Sequence, residues 1–258
     1  DLCPVDLGAY SSRVTFMVGN AAIDAARKMR KKIVTAAANH WECNEDSILI
    51  INGEVYNLED DSKTLSQRQA FEITEEQFDT LGETGAYNTP VLGGDYRGGT
   101  IGASPAYSFT SHVAEVTIDA ETGQIKVDNI WVAHDCGRAI NPILVRGQME
   151  GSTYMGAAEV NLENFEMNRF QLHQGPSLLD YRIPTSLDTA DIEALIVESI
   201  DPEGPYGAKE AGEGPLHSAI PAIANAVFDA VGIRLRELPF TPAKVLAALK
   251  EKEETANA

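Results

Sequence analysis

The run Gly204-Pro205-Tyr206-Gly207-Ala208-Lys209-Glu210-Ala211-Gly212-Glu213-Gly214-Pro215 sets two carboxylates among small residues, immediately ahead of an apolar stretch. Glycine tolerates conformations closed to other residues and lets backbone approach a ligand closely. Pro215 and the apolar spacing after it predict a helix from about Ser218 to Val231, and a strand at Leu195 to Ser199 precedes the run. The run therefore reads as a crowded strand-to-helix turn. Its glutamates either face water at the start of that helix or stand in a site where a carboxylate exchanges protons with a ligand.

Upstream, His112 to Ile118 alternates in polarity, Ala120-Glu121-Thr122-Gly123 makes a turn, and Gln124 to His134 returns, which predicts a hairpin ending at Asp135-Cys136-Gly137. A helix follows from about Ile143 to Val160, and a closing helix spans Thr241 to Lys250 with Pro242 one residue inside it. Nearer the start, Ala22, Ala25, Ala26, Met29, Ile33, Ala36 and Ala37 form the stripe of a helix over Asn20 to Asn39, capped at Gly19-Asn20. Ser47 to Ile51, Asn52-Gly53 and Glu54 to Tyr56 read as a tight hairpin. Residues 59 to 80 are polar, with room for a short helix or two, and 82 to 106 read as a long irregular loop. The class is α+β, mixed hairpins and sheets with packed helices. Two lobes, 1–105 and 106–250, and a frayed tail at 251–258 are expected.

Composition narrows the function. Against 39 Asp and Glu stand 20 Lys and Arg, so a net charge of −19 repels phosphate backbones and argues against a nucleic-acid partner. The basic group Arg27, Lys28, Arg30, Lys31 and Lys32 reads as the solvated side of a helix. Apolar runs fall short of the roughly 18 residues that span a bilayer, so no membrane partner is expected. Cys3, Cys43 and Cys136 are too few and too scattered for a disulfide framework or a four-thiolate cluster, which suits a reducing cytoplasm. The five histidines show no metal-ligand spacing and read as structural. Gly94 to Gly99 lacks the ending that gives a phosphate loop its mechanism, and Ser104 has no neighbouring base. The opening Asp-Leu-Cys-Pro has neither an initiator Met nor the parts of a signal peptide, and reads as the interior of a longer chain.

Gly207-Ala208-Lys209-Glu210-Ala211-Gly212-Glu213 resembles the Gly-x-Lys-x-x-Gly-Glu pattern of the molybdenum hydroxylases of the xanthine oxidase family. Two further segments are similar, in the family's order: Asp6 to Thr15 leading into Gly19-Asn20-Ala21, and Asp135 to Pro142 followed by Arg146 to Gly151. The resemblance implies the C-terminal molybdopterin-binding region of a larger subunit, with the fold of that domain. It implies Glu213 as acid/base residue beside the molybdenum, and Ala9, Tyr10, Ser11, Ser12, Arg13, Asp135, Gly137, Asn141, Gln148, Lys209, Glu210, Ala211 and Gly212 as cofactor contacts.

The implied cofactor is molybdenum–molybdopterin cytosine dinucleotide, its metal held by pterin sulfurs and by no side chain of this chain. Implied partners are the N-terminal half of the molybdenum subunit, an iron–sulfur subunit and an FAD subunit, with an aromatic or heterocyclic small molecule as substrate. Within the family, Asp201 to Pro215 and Gly94 to Thr100 most resemble the large subunits of 4-hydroxybenzoyl-CoA reductases, implying reductive dehydroxylation of a CoA thioester. An oxidative hydroxylase of purines, aldehydes or N-heterocycles is the alternative, and a non-catalytic assembly module is a second.

Overall fold

The computed structural model describes residues 8–90, 95–96, 99–100, 106–164, 166–167, 173–174, 178 and 181–256. The expectations for Cys3, for Asp6-Leu7, for Gly94, Arg97 and Gly98 and for Gly102 to Pro105 lie outside them. Two compact units divide the chain, Asp1–Gly8 with Val14–Ala103, and Ala9–Arg13 with Ser104–Ala258.

In the first unit helix α1 spans Val14–Trp41. It starts six residues before the expected Gly19-Asn20 cap, so that pair lies inside the helix. A glycine costs a helix interior only about 1 kcal/mol relative to alanine. The earlier start also buries Phe16, whose ring meets Tyr87 edge-on at 5.9 Å. Strands β1 (Ile48–Ile51) and β2 (Glu54–Asn57) form the expected hairpin, with positive φ at Asn52 and Gly53. β3 (Asp60–Leu65) adds a third strand that the sequence hid, because only Leu65 at its end is buried. Helix α2 (Gln67–Phe78) starts at a capping box between Ser66 and Gln69. Val34, Ala37 and Ala38 of α1 meet Ile48, Val55, Leu65 and Ala70 in the core. The basic group is partly paired, Lys28 with Asp24 at 2.8 Å and Lys32 with Glu83 at 2.7 Å. Residues 82–90 carry no helix or strand, and β4 (Asp95–Tyr96) pairs with β5 (Gly99–Thr100).

The second unit is built on β6 (Phe109–Ile118) and β7 (Ile125–Asp135), the expected antiparallel hairpin. β8 (Glu166–Met167) and β9 (His173–Gln174) form a separate short pair, and β10 (Asp191–Val197) adds to β7 in parallel, giving the order β10-β7-β6. Alternation sorts the side chains of this sheet. Ile130, Val132 and His134 are buried on one face, while Phe109, Val113 and Leu195 are exposed. Helices α3 (Pro142–Asn161) and α5 (Ala219–Val231) cover the buried face, where Val160, Ile223 and Val227 pack with Val127, Phe240 and Val245. α4 (Gly214–His217) is a single turn before α5, and α6 (Pro242–Ala256) closes the unit. α6 continues through most of the segment expected to fray, helical to Ala256. Among the described residues no helix is long and apolar enough to cross a membrane.

Candidate functional site

At the end of β7 the chain leaves the sheet through Cys136 and Gly137, and the strand-to-helix turn returns beside it. Lys209 N–H donates to the Cys136 carbonyl at 2.7 Å, and Arg138 N–H to the Gly207 carbonyl at 2.8 Å. Gly137 has φ +63°, and a Cβ there would collide with the Gly207 carbonyl oxygen. Only glycine fits the crossing.

Lys209, 6% exposed, donates from its ammonium to Asp135 Oδ2 at 2.6 Å. Asp135 Oδ1 accepts the amides of Gly137 and Ser199, each at 3.0 Å. Burial pushes the Asp135 carboxyl up, but these three hydrogen bonds and the Lys209 charge hold it below its ordinary value. Asp135, Gly137 and Lys209, expected as cofactor contacts, join two of the expected cofactor segments.

The next five residues wind around a carboxylate. Glu210 Oε1 accepts the Ser108 hydroxyl proton, Oε2 lies 3.5 Å from the Gly214 amide nitrogen, and the Glu210 carbonyl is 2.9 Å from His134 Nε2. Ser152 of α3 donates to the Gly212 carbonyl. These bonds direct Glu210 inward, toward its own turn. His112, whose two ring nitrogens contact Ser218 and Thr153, is pushed down to about 4 by burial and by nearby His134.

Ser12 joins the turn from the other side. Its Oγ accepts the Glu213 amide proton at 2.8 Å and lies 3.5 Å from Glu213 Oε2. A Cβ on Gly212 would stand 2.6 Å from Ser12 Oγ and 3.7 Å from Gln148 Oε1. The Ser12 loop, the Gln148 turn of α3 and Glu213 therefore meet around a residue that has no room for a side chain. Ser11 and Ser12 both hold positive φ, 51° and 50°, and the Arg13 guanidinium lies 4.7 Å from the Tyr10 ring centroid. Strained backbone of this kind persists where its surroundings over-determine it, and it concentrates at ligand sites.

The remaining expected residues divide. Ala9, Tyr10, Ser11 and Gln148 are exposed and Ala211 is half-buried, open to a ligand. Asn141 caps α3, its Oδ1 accepting the Leu144 amide at 3.2 Å. Glu213 is exposed, in place of the crowded environment expected from the sequence. Nothing in the sequence marked Ser108 or Ser152, and only the alternation of β6 and β7 hinted that His134 points inward. Their partners lie 60 to 102 residues away.

The Ser12 hydroxyl and the Gln148 carboxamide at Gly212, with the guanidinium of the adjoining Arg13, are groups that suit a polar ligand that carries phosphates. Among the described residues no group of three or more His, Cys, Asp or Glu side chains is placed to hold a metal ion. A metal carried on sulfurs of its own organic ligand needs no such group.

A family model, "Molybdopterin cofactor-binding domain", matches residues 1–190. A probable hypoxanthine oxidase, XdhD, of Escherichia coli is 32% identical over 95% of this chain and 24% of its own length. The carbon monoxide dehydrogenase large chain of Hydrogenophaga pseudoflava is 31% identical over 96% of this chain and 30% of its own. The solved quinoline 2-oxidoreductase from Pseudomonas putida 86 is 26% identical with a TM-score of 0.76, covering 95% of this chain and 31% of that one. The chain thus spans between 24% and 31% of the length of these proteins.

Proposed function

The chain belongs to the molybdopterin cofactor-binding domains of the xanthine oxidase family, and from that premise we propose that it supplies the acid/base half of a molybdenum oxidoreductase acting oxidatively on a purine, aldehyde or N-heterocycle. The observation that carries this reading is the meeting of Ser12, Gly212, Gln148 and Glu213 in one cradle. Three segments far apart in sequence converge there. The cofactor is molybdopterin cytosine dinucleotide, which supplies the two-electron step when bound. Tyr10, Ser11, Ser12 and Arg13 would hold it, and Gln148 and the amides of Ala211 and Gly212 would orient it. Glu213 would take a proton at its carboxylate from the water-derived hydroxyl that attacks the substrate and release it to solvent, with Ser12 Oγ, 3.5 Å from Oε2, steadying that oxygen.

The names of the relatives, an oxidase, a dehydrogenase and an oxidoreductase of a heterocycle, support the oxidative direction. The resemblance of Asp201 to Pro215 to 4-hydroxybenzoyl-CoA reductases finds no counterpart among them. "Large chain" in one of those names implies companion subunits; for this protein we assign them iron–sulfur clusters and FAD, with the N-terminal half of the molybdenum subunit closing the site, in the cytoplasm.

Glu213→Gln in the complete complex should retain stoichiometric molybdenum while turnover falls by a factor on the order of 10². Undiminished turnover refutes the role. Offering hypoxanthine, quinoline, an aldehyde and 4-hydroxybenzoyl-CoA to the same preparation separates the directions, since reduction of the thioester with no oxidation of the others reverses the assignment. A complex without molybdenum is an assembly module only.

A further inference from the structure

Behind the cradle lies a second layer of side chains. His134 is fully buried on β7, its Nδ1 2.7 Å from Thr110 Oγ1 on the paired strand and its Nε2 2.9 Å from the Glu210 carbonyl oxygen. A carbonyl only accepts, so Nε2 carries the hydrogen, and in the neutral ring Nδ1 then accepts from Thr110. Glu210 Oε1 accepts a hydrogen bond from the Ser108 hydroxyl and lies 3.8 Å from His134 Nε2, while Oε2 faces the Gly214 amide at 3.5 Å. A Cβ on Gly214 would press against Glu210 Oε1 and stand 3.0 Å from His134 Cε1. Imidazole and carboxylate therefore form the floor on which Gly214 rests. Glu213, one residue earlier, reaches forward to Ser12.

We propose that His134 and Glu210 are positioning residues for Glu213: a buried imidazole and an inward-turned carboxylate clamp both ends of the Glu210–Gly214 turn, so that the carboxylate between them keeps a single direction relative to Ser12 and Gln148. This rests on the acid/base reading of Glu213 for its catalytic consequence, but not for the clamp itself. Glu210 then acts through the turn and leaves the cofactor to its neighbours. Of the two side chains that the sequence sets in one motif, only Glu213 faces outward.

Four variants of the complete complex test it. His134→Leu removes the donor to the Glu210 carbonyl, and Glu210→Ala removes the acceptor for Ser108 and Gly214. His134→Gln and Glu210→Gln keep a hydrogen-bonding group in each place. Two readouts are taken, deuterium uptake by the backbone amides of residues 209–216 in complex stripped of cofactor, and kcat against KM in loaded complex.

His134→Leu and Glu210→Ala should raise uptake in that segment and leave it unchanged in α6. Their kcat should fall about tenfold, the scale of a lost hydrogen bond, with KM within about twofold and molybdenum content unchanged. The two Gln variants should restore both readouts to within about threefold. Unchanged uptake and kcat in His134→Leu and Glu210→Ala overturn the proposal, as does a fall in kcat that Gln fails to rescue. If His134→Leu does not assemble, Glu210→Ala at its partly exposed position decides. Full turnover by Glu213→Gln defeats the catalytic reading alone, since uptake by the turn is measured independently of it.

Discussion

Lys209 and Asp135 show how one ion pair can hold two segments of the candidate site in place. The ammonium and carboxylate are 2.6 Å apart with side chains 5% and 12% exposed, so neither is well solvated and each depends on the other. Removing one partner of such a pair leaves an uncompensated buried charge. Lys209→Met should lower stability at neutral pH by about 3 kcal/mol in urea denaturation. The sign of its pH dependence follows from the lowered Asp135 value. The contribution is complete above the unfolded carboxylate value of about 3.9 and is lost as pH falls through the lower folded one. The gap between wild type and Lys209→Met should therefore be widest near neutrality and close below about pH 3.9. A gap that widens in acid rules out the pair as its source. Gly137 stands beside this pair at φ +63° against the Gly207 carbonyl, so any side chain there separates the same two segments.

At the scale of elements, each end of the site is a helix start or a strand end. α3 begins at Asn141, whose Oδ1 accepts the Leu144 amide, with Pro142 in its first turn. Such a cap contributes about 1 kcal/mol. Asn141→Ala should lower the unfolding free energy by that amount and leave the molybdenum content of the complex as it was. Loss of cofactor without loss of stability restores the contact role that the resemblance implies. α4 begins directly after Glu213, and no side chain caps it. Glu213 is thus at the end of a helical segment, where a carboxylate is favoured by the first-turn amides, yet its amide is already used by Ser12. Its carboxylate stays exposed, with Ser12 Oγ 3.5 Å from Oε2.

On the scale of the whole chain, charge is the dominant fact. A net charge of −19 over 258 residues opposes compaction through self-repulsion that salt screens. The midpoint of thermal unfolding should rise as sodium chloride goes from about 10 mM to about 150 mM, where the screening length shortens from about 30 Å to about 8 Å. A falling midpoint shows that surface ion pairs such as Lys28–Asp24 outweigh the repulsion. Each unit has an apolar core of its own, one around Val34, Val55 and Leu65 and one around Ile130, Ile223 and Val245. The division does not follow chain order. Ala9–Arg13 belongs with the second unit although the first follows it directly, because Ser12 finds its partners at Gly212 and Glu213.

Periodicity and turn chemistry determined the elements from sequence alone. Asn52-Gly53 placed one hairpin, the alternation on both sides of Ala120 to Gly123 placed the other, and the spacing of apolar residues placed α1, α3 and α5, because a residue's own neighbours settle these choices. The motif around Glu213 also carried its family in the residues themselves. Where patterns were weak, packing decided: β3 has a polar sequence and forms by pairing with β2, and α1 extends past Gly19 by burying Phe16. Tertiary structure alone decided which polar groups of the motif face each other. Lys209 could only turn to Asp135, Glu210 to Ser108 and the Glu213 amide to Ser12 once segments 74, 102 and 201 residues apart had been brought together. A hydrogen bond reaches about 3 Å, and no local pattern in a chain encodes a partner that only folding carries within that distance.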